Sequence, residues 1–217
     1  MSDVIAFLAK GGIIMYPLVL CSVIGLAVVC ERAVSLRRKK VVIPEIVGVI
    51  RNIRGPEDIG LAASICEQHR GPFANIIRSG LNARDRSRDE IREVLEDTGR
   101  QETHRLERGL VILETVAAIA PLLGLLGTVI GILKVFNVIS QVGVGQASAM
   151  AGGISEALIT TVVGLSIGIP AVVAYNWLAK KVDGLILVME KHSSSLLKIV
   201  SAFSTPSGGT RHAVRSK

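Results

Sequence analysis

The chain has 217 residues, of which 49% are hydrophobic and 20% are charged, and its formal net charge is +7. The charged residues are gathered into separate blocks with long charge-free windows between them, which is typical of a membrane protein and not of a soluble domain. The positive charge does not indicate nucleic-acid binding, because aromatic residues that could stack on bases make up only 3% of the chain.

Three windows contain no Asp, Glu, Lys or Arg, and each can cross the hydrocarbon core of a membrane at about 1.5 Å per residue. They cover residues 11–30, 115–133 and 157–179. We therefore predict an all-α integral membrane protein with three transmembrane helices. Their expected bounds are 11–31, 114–136 and 155–179. The first window has the full length of a span and follows an acidic Asp3, so we interpret it as a retained helix and not as a cleaved signal.

The distribution of lysine and arginine predicts the orientation, because these residues stay preferentially on the cytoplasmic side. Of the 25 basic residues, 16 lie between the first two windows and 7 follow the third, while only Lys10 and Lys134 lie elsewhere. We predict a multi-pass protein of the inner membrane with a short periplasmic N-terminus (1–10) and a cytoplasmic C-terminus. Anionic membrane lipids are the expected partners of the basic cluster at 37–40.

The segment 32–113 is predicted to be cytoplasmic and helical, with turns at the Gly-Pro pairs 55–56 and 71–72. Asp89 is the candidate N-cap of a long helix, which we expect to run straight into the second span.

The remaining segments follow the third window or separate it from the second. The third span is predicted to continue as an amphipathic cytoplasmic helix over 180–204, so that helices 2 and 3 both extend far into the cytoplasm. Residues 137–154 are polar and glycine-rich and are interpreted as an extracytoplasmic turn. Residues 205–217 are expected to be a disordered tail.

Small residues recur at helical spacing in the second and third windows. Membrane helices gain little from sorting apolar side chains against lipid tails, so the close approach of small residues matters for their association. Simple helix packing explains these glycines without any further role. The predicted packing residues, including one proline in each helix, are Pro121, Gly124, Gly127, Gly131, Gly164, Gly168 and Pro170.

Glu156 precedes the third window and lies one helical turn before Thr160. An ionisable group at mid-bilayer costs on the order of 3 kcal/mol, so one that persists usually faces protein or a water-filled path. In a regular helix Glu156 and Thr160 share a face, and Thr161 lies about 100° further round. Two alternatives stay open. The threonines can bond back to a carbonyl one turn earlier, and Glu156 can be an interfacial anchor.

The sequence indicates no enzyme and no metal site. The four histidines are scattered through hydrophilic segments without Cys or carboxylate partners at ligand spacing. A Gly-rich phosphate loop is absent from the sequence as well. We therefore predict no catalytic residue, no metal and no cofactor.

Two stretches of the sequence resemble a known family. APLLGLLGTVIGILKVF (120–136) and GISEALITTVVGLSIGIPAVVAYN (153–176) closely resemble the second and third membrane helices of the ExbB/TolQ/MotA proton-channel family. The order of parts is similar too, with a large cytoplasmic segment between spans one and two. Three spans favour the ExbB/TolQ branch over the flagellar stators.

The resemblance implies a homo-oligomeric ring, usually a pentamer, around a dimer of single-span ExbD/TolR-like partners. Protons would pass between ring and partner, whose Asp carries the protonated carboxylate, and a TonB/TolA-like protein is a further expected partner. By position in the motif, Thr128 and Thr161 look like pore-facing hydroxyls, and Glu156 resembles the acidic residue at the start of the third helix. With Thr160 beside it, these residues form the predicted proton pathway.

The expected function is that of a subunit of a motor driven by the proton gradient. Such a motor would energise transport at the outer membrane, envelope constriction or gliding. The alternative is a passive membrane scaffold that anchors a complex through its charged cytoplasmic helices.

Overall fold

The computed structural model describes residues 11–37, 41–142 and 147–203, and within these ranges it has seven helices and no strand. The helices are α1 (Met15–Ser35), α2 (Pro44–Asn52), α3 (Pro56–Gln68), α4 (Pro72–Asn82), α5 (Arg88–Glu107), α6 (Leu110–Val142) and α7 (Ala147–Phe203). The all-helical prediction is confirmed for these ranges. The predictions for residues 1–10, for residues 38–40 of the basic cluster and for the tail at 205–217 fall outside the described residues.

Three helices are long and apolar enough to cross a membrane. They are α1, the segment Leu110–Gln141 of α6 and the segment Met150–Phe203 of α7. Helices α6 and α7 contain the second and third charge-free windows, and α1 contains residues 15–30 of the first, so the prediction of three candidate membrane helices is confirmed. The ends of each span and the side on which each loop lies stay predictions.

Proline begins three helices between α1 and α5. Pro44, Pro56 and Pro72 occupy the first turns of α2, α3 and α4. The fixed φ of proline suits this position, and the N–H that it lacks has no partner there in any helix. The turns expected at the two Gly-Pro pairs are therefore present.

The N-cap of α5 is Ser87, and the expectation that Asp89 caps this helix is wrong. The Ser87 hydroxyl accepts a hydrogen bond from the backbone N–H of Glu90, and the Glu90 carboxylate accepts one from the backbone N–H of Ser87 at 2.8 Å. This reciprocal pair satisfies two donors that the first helical turn leaves free, and Asp89, two residues after the cap, cannot provide it.

Helix α5 does not continue into α6, contrary to the sequence-based expectation. It ends at Glu107, and Gly109 has a φ of +92°, a left-handed conformation that interrupts the helix. A Cβ at Gly109 would lie 2.8 Å from Nε of Arg32 in α1. The backbone conformation favours glycine here, and the guanidinium of Arg32 lies against it.

The segment predicted as a turn, 137–154, is largely helical where it is described. Helix α6 continues to Val142 and α7 begins at Ala147, so both helices extend into that segment. The polar residues do not end α6 because their side chains can be accommodated on a helix: the Ser140 hydroxyl donates to the carbonyl of Asn137 at 3.0 Å. Helix α7 also continues without a break past the third window to Phe203.

The chain divides into two compact units, and the first, here called the membrane unit, comprises the described residues of Met1–Val34 and Gly109–Lys180. Its buried cluster is small and joins α1 to α6. The members are Met15, Leu18 and Ala120, with Ile14, Leu123, Ile159, Val163 and Ile167 packed around them. Large apolar side chains face outward instead, with Leu122 62% exposed and Leu158 61% exposed. Such a surface suits lipid or neighbouring helices and not water.

The second unit, here called the polar unit, comprises the described residues of Ser35–Arg108 and Lys181–Lys217. Its core consists of large apolar side chains. The fully buried ones include Ile46, Ile50, Phe73, Ile77, Leu81, Ile91 and Leu196. Gly80 of α4 makes room at the centre, since a Cβ there would lie 2.7 Å from Cδ2 of Leu95 and 3.0 Å from Cδ2 of Leu196. The packing resembles that of a water-soluble helical protein.

Two buried polar groups in the polar unit have a structural explanation. Glu102 is only 4% exposed, and its Oε1 accepts hydrogen bonds from Asn75 at 2.9 Å and Arg105 at 2.7 Å. These donors compensate the carboxylate for its loss of water.

Burial raises the pKa of the Cys66 thiol to about 11, although the positive charge of Arg78 opposes this rise. Cys66 therefore stays protonated and inert at neutral pH.

Candidate functional site

Helices α6 and α7 lie side by side in the membrane unit and run antiparallel. A Cβ at Gly153 would lie 2.6 Å from Cγ2 of Val135, and one at Gly131 would lie 2.7 Å from Cβ of Ala157. Further along, a Cβ at Gly168 would meet the ring of Pro121, 2.8 Å from its Cδ. The contact therefore extends over several helical turns, and a glycine takes part at each of these points.

The two backbones are closest where Gly124 faces Gly164. A Cβ at Gly164 would lie 2.6 Å from the carbonyl oxygen of Ala120 and 2.9 Å from Cα of Gly124. A Cβ at Gly124 would lie 3.0 Å from the carbonyl oxygen of Thr160. Any side chain at either glycine would push the helices apart, because backbone atoms cannot move out of its way independently of the helix.

Thr161 connects the two helices at this closest point. Its hydroxyl donates a hydrogen bond to the carbonyl of Gly124 at 3.2 Å, and the residue is half-buried. The bond joins α7 to α6 across 37 positions of sequence. The hydroxyl oxygen keeps its own lone pairs, so it can still accept a hydrogen bond from water or from an acid.

The other two threonines bond back within their own helices, as the local alternative anticipated. The Thr160 hydroxyl donates to the carbonyl of Ala157 at 2.8 Å, and the Thr128 hydroxyl donates to that of Leu125 at 2.6 Å. Thr160 is 1% exposed and its side chain fills the space beside Gly127. Thr128 is half-buried and lies one helical turn beyond Gly124.

Glu156 forms an ion pair with Lys134 of α6. The distance between Nζ of Lys134 and Oε1 of Glu156 is 2.5 Å, and the Glu156 side chain is 19% exposed while that of Lys134 is 50% exposed. The backbone of Gly12, just before α1, lies against the same carboxylate, since a Cβ at Gly12 would collide with Oε1 of Glu156. Gly12 has a φ of +68°, which also favours glycine. Glu156, in α7, thus contacts a residue of α6 and the backbone just before α1.

Pro170 differs from the other predicted packing residues. It lies inside α7, but its side chain is exposed, whereas Gly164 and Gly168 are buried. Pro121 inside α6 is partly buried and lies opposite Gly168. Proline is tolerated within a membrane helix where neighbouring groups compensate for the lost backbone hydrogen bond.

Reasoning from the sequence missed Lys134, Gly12 and Gly153. The sequence did contain a signal for Lys134, which is one of only two basic residues outside the two basic blocks. A lysine in such a position needs a partner, and Glu156 is the acid nearest to the matching end of the next apolar window. Gly12 and Gly153 carried no comparable signal, because only the contacts of the folded chain distinguish them from other glycines.

These features define a multi-pass membrane protein whose last two spans pack closely through glycines and carry hydroxyl groups at that contact. Residues 68–191, more than half of the chain, match the MotA/TolQ/ExbB proton channel family. The chain belongs to this family, and the resemblance seen in the sequence is confirmed.

Several named proteins are similar to this chain. A putative biopolymer transport protein ExbB-like 1 of Synechocystis is 36% identical over 171 residues, which cover 77% of this chain and 67% of the relative. A putative biopolymer transport protein ExbB homolog of Methanothermobacter thermautotrophicus is 33% identical over 83% of this chain and 64% of its own length. The Tol-Pal system protein TolQ of Haemophilus influenzae is 42% identical over 39% of this chain and 37% of its own length. The chain thus spans about two thirds of the first two relatives.

Proposed function

We propose that this chain is a ring-forming subunit of a proton-driven motor in the inner membrane, with five copies around two single-span helices of an ExbD/TolR-like partner. The motor would transmit its movement through a TonB/TolA-like protein to work at the outer membrane or cell envelope. One observation carries the proposal: in a member of a proton channel family, the Thr161 hydroxyl lies at the glycine-lined α6–α7 contact and bonds to Gly124.

The chemistry of the α6–α7 contact is suited to protons. In this proposal the half-buried Thr161 and Thr128 hold water or the partner's carboxyl group, since each hydroxyl can donate one hydrogen bond and accept two, and the buried Thr160 lines the contact beside Gly127. Glu156 stands at one end of this row, and no charged residue lies in the sequence between it and Lys180. The partner's aspartate would carry the proton, because a hydroxyl relays protons without introducing a fixed charge into the membrane.

The test is proton uptake by the purified complex. The chain is isolated from its native membrane with whatever single-span partner accompanies it, reconstituted into liposomes that contain a pH-sensitive dye, and energised with a potassium diffusion potential. Thr161→Val removes a hydroxyl from the proposed path, and we expect proton uptake to fall roughly tenfold, which corresponds to about 1.4 kcal/mol in the barrier to proton transfer. Thr161→Ser, which keeps the hydroxyl, should retain most of it.

Thr115→Val is the matched control. Thr115 is an exposed threonine of α6 whose hydroxyl donates back to the carbonyl of Val111 at 2.7 Å. Its loss should leave proton uptake unchanged. Normal uptake by Thr161→Val would contradict the assigned role of Thr161. A complex that assembles with its partner and yet takes up no protons would favour the scaffold alternative.

A further inference from the structure

The ion pair between Lys134 and Glu156 lies inside two helices, at the edges of their charge-free windows, which end at residue 133 and begin at residue 157. Lys134 precedes the last described residue of α6 by two helical turns, and Glu156 follows the first residue of α7 by more than two. With its side chain 19% exposed, Glu156 is largely removed from solvent. A pair in this position stands where an ion would enter the proposed pathway from the α6–α7 connection.

The ammonium group of Lys134 occupies the position that a metal cation would take. Hard cations bind oxygen ligands, and a carboxylate is the strongest such ligand available among neutral hydroxyls and carbonyls. Oε1 of Glu156 already binds Nζ of Lys134 at 2.5 Å and is covered on another side by the backbone of Gly12. A sodium ion approaching this oxygen would meet a like charge at contact distance, beside a carboxylate that is 19% exposed.

The remaining oxygen donors along the contact do not replace this carboxylate. The hydroxyls of Thr160 and Thr161 donate to the carbonyls of Ala157 and Gly124. A sodium ion there would have only a few neutral oxygens, whereas a proton needs no shell of ligands and can pass along water and hydroxyl groups. Because the pair as a whole is neutral, it does not place a net positive charge in the way of protons.

We propose that Lys134 makes this pathway select protons against sodium, by occupying the carboxylate oxygen Oε1 of Glu156 that a metal cation would otherwise bind. Lys134 acts here as a specificity-determining residue, through its effect on Glu156. This inference rests on the proposed function, since it concerns the ion that the same pathway conducts.

The experiment measures two ions on the same reconstituted complex: proton uptake with the pH-sensitive dye, and uptake of radioactive sodium. Wild type should take up protons without sodium, and added sodium should not slow its proton uptake. In Lys134→Met the free carboxylate should admit sodium, with sodium uptake about tenfold or more above wild type, because one like charge at contact distance has been removed. Lys134→Arg, which keeps the charge, should still exclude sodium.

The double variant Lys134→Met with Glu156→Gln separates this role from a structural one. It also lacks the ion pair, but no carboxylate remains, so its sodium uptake should return to the wild-type level. A role limited to holding the helices together would give both variants the same sodium uptake, and that result would overturn the inference.

Other results have equally definite meanings. If wild type takes up sodium, or if sodium competes with its proton uptake, the inference is wrong, and this measurement does not depend on whether any variant folds. If Lys134→Met takes up protons but still no sodium, the inference fails and the proposed function stands. If wild type takes up neither ion, the proposed function fails and the inference fails with it.

Discussion

The membrane unit and the polar unit are built by one chain but are packed in different ways. In the polar unit large side chains such as Phe73 and Leu196 are fully buried, and Gly80 only makes room for them. In the membrane unit the backbones of Gly124 and Gly164 are in contact, while large residues such as Leu122 are exposed. Water drives large apolar groups into a core, whereas lipid offers no such gain, so small residues and backbone contacts take over.

The largest effect that this comparison predicts is in the polar unit. Phe73 is 0% exposed and its ring contacts that of His192 edge-on, with centroids 5.7 Å apart. Phe73→Ala removes a buried aromatic ring and should lower the free energy of unfolding by about 3–5 kcal/mol. Denaturant titration of the full chain in detergent measures this, with hydrogen exchange of α4 amides to locate the loss.

Leu61→Ala is the control for that experiment, since Leu61 of α3 is 63% exposed. Its effect should stay within about 0.5 kcal/mol. Equal effects of the two substitutions would mean that the polar unit does not have the tightly packed core described here, and the contrast between the units would be lost.

The second prediction tests the membrane unit by adding a group instead of removing one. Gly164→Ala places a methyl group 2.6 Å from the carbonyl oxygen of Ala120, and the helices must separate to admit it. Overpacking of this kind should cost about 1–3 kcal/mol, measured by thermal unfolding in detergent. Because Thr161 bonds to Gly124 beside this contact, proton uptake should fall as well.

Gly152→Ala is the matched control, because a Cβ at Gly152 of α7 would have no neighbour within 4 Å. Alanine favours a helix over glycine by up to about 1 kcal/mol, so this variant should be as stable as wild type or slightly more so. If both alanine variants behaved alike, close backbone contact would not be what holds α6 to α7.

Features written locally in the sequence were predicted well. The candidate spans follow from windows without charge, and the starts of α3 and α4 follow from Gly-Pro pairs, because each of these features depends on a few adjacent residues. The spacing of Gly124, Gly127 and Gly131 likewise indicates a close helix contact, because residues three and four apart share one face of a helix. The family resemblance came from the same two apolar stretches.

Features that depend on the folded chain were missed. The ion pair joins Lys134 to Glu156 across 22 positions of sequence, and no periodicity within one helix reveals it. Helical geometry predicted that Thr160 and Thr161 point in directions about 100° apart around the helix axis. It could not show which of the two hydroxyls bonds to α6. The helix that we expected to run straight into the second span is interrupted at Gly109, and only the φ of +92° and the contact with Arg32 distinguish this glycine.

The smallest predicted effect concerns the start of α5, on the exposed surface of the polar unit. Ser87→Ala removes the hydroxyl that caps the helix and should cost about 1 kcal/mol at neutral pH. The hydrogen bonds with Ser87 hold the pKa of the Glu90 carboxyl below its ordinary value. The stabilisation from these bonds is therefore fully present at a pH above the ordinary pKa of a glutamate. It is lost as the pH falls through the lower pKa that Glu90 has in the folded chain. The difference in unfolding free energy between wild type and Ser87→Ala should therefore shrink below about pH 4.

Glu90→Gln serves as the control, because without the titrating carboxyl the effect of adding Ser87→Ala should not depend on pH in this range. A difference between wild type and Ser87→Ala that stays constant from neutral pH to about pH 3 would mean that the bond between the Ser87 hydroxyl and the Glu90 carboxylate contributes nothing to the cap.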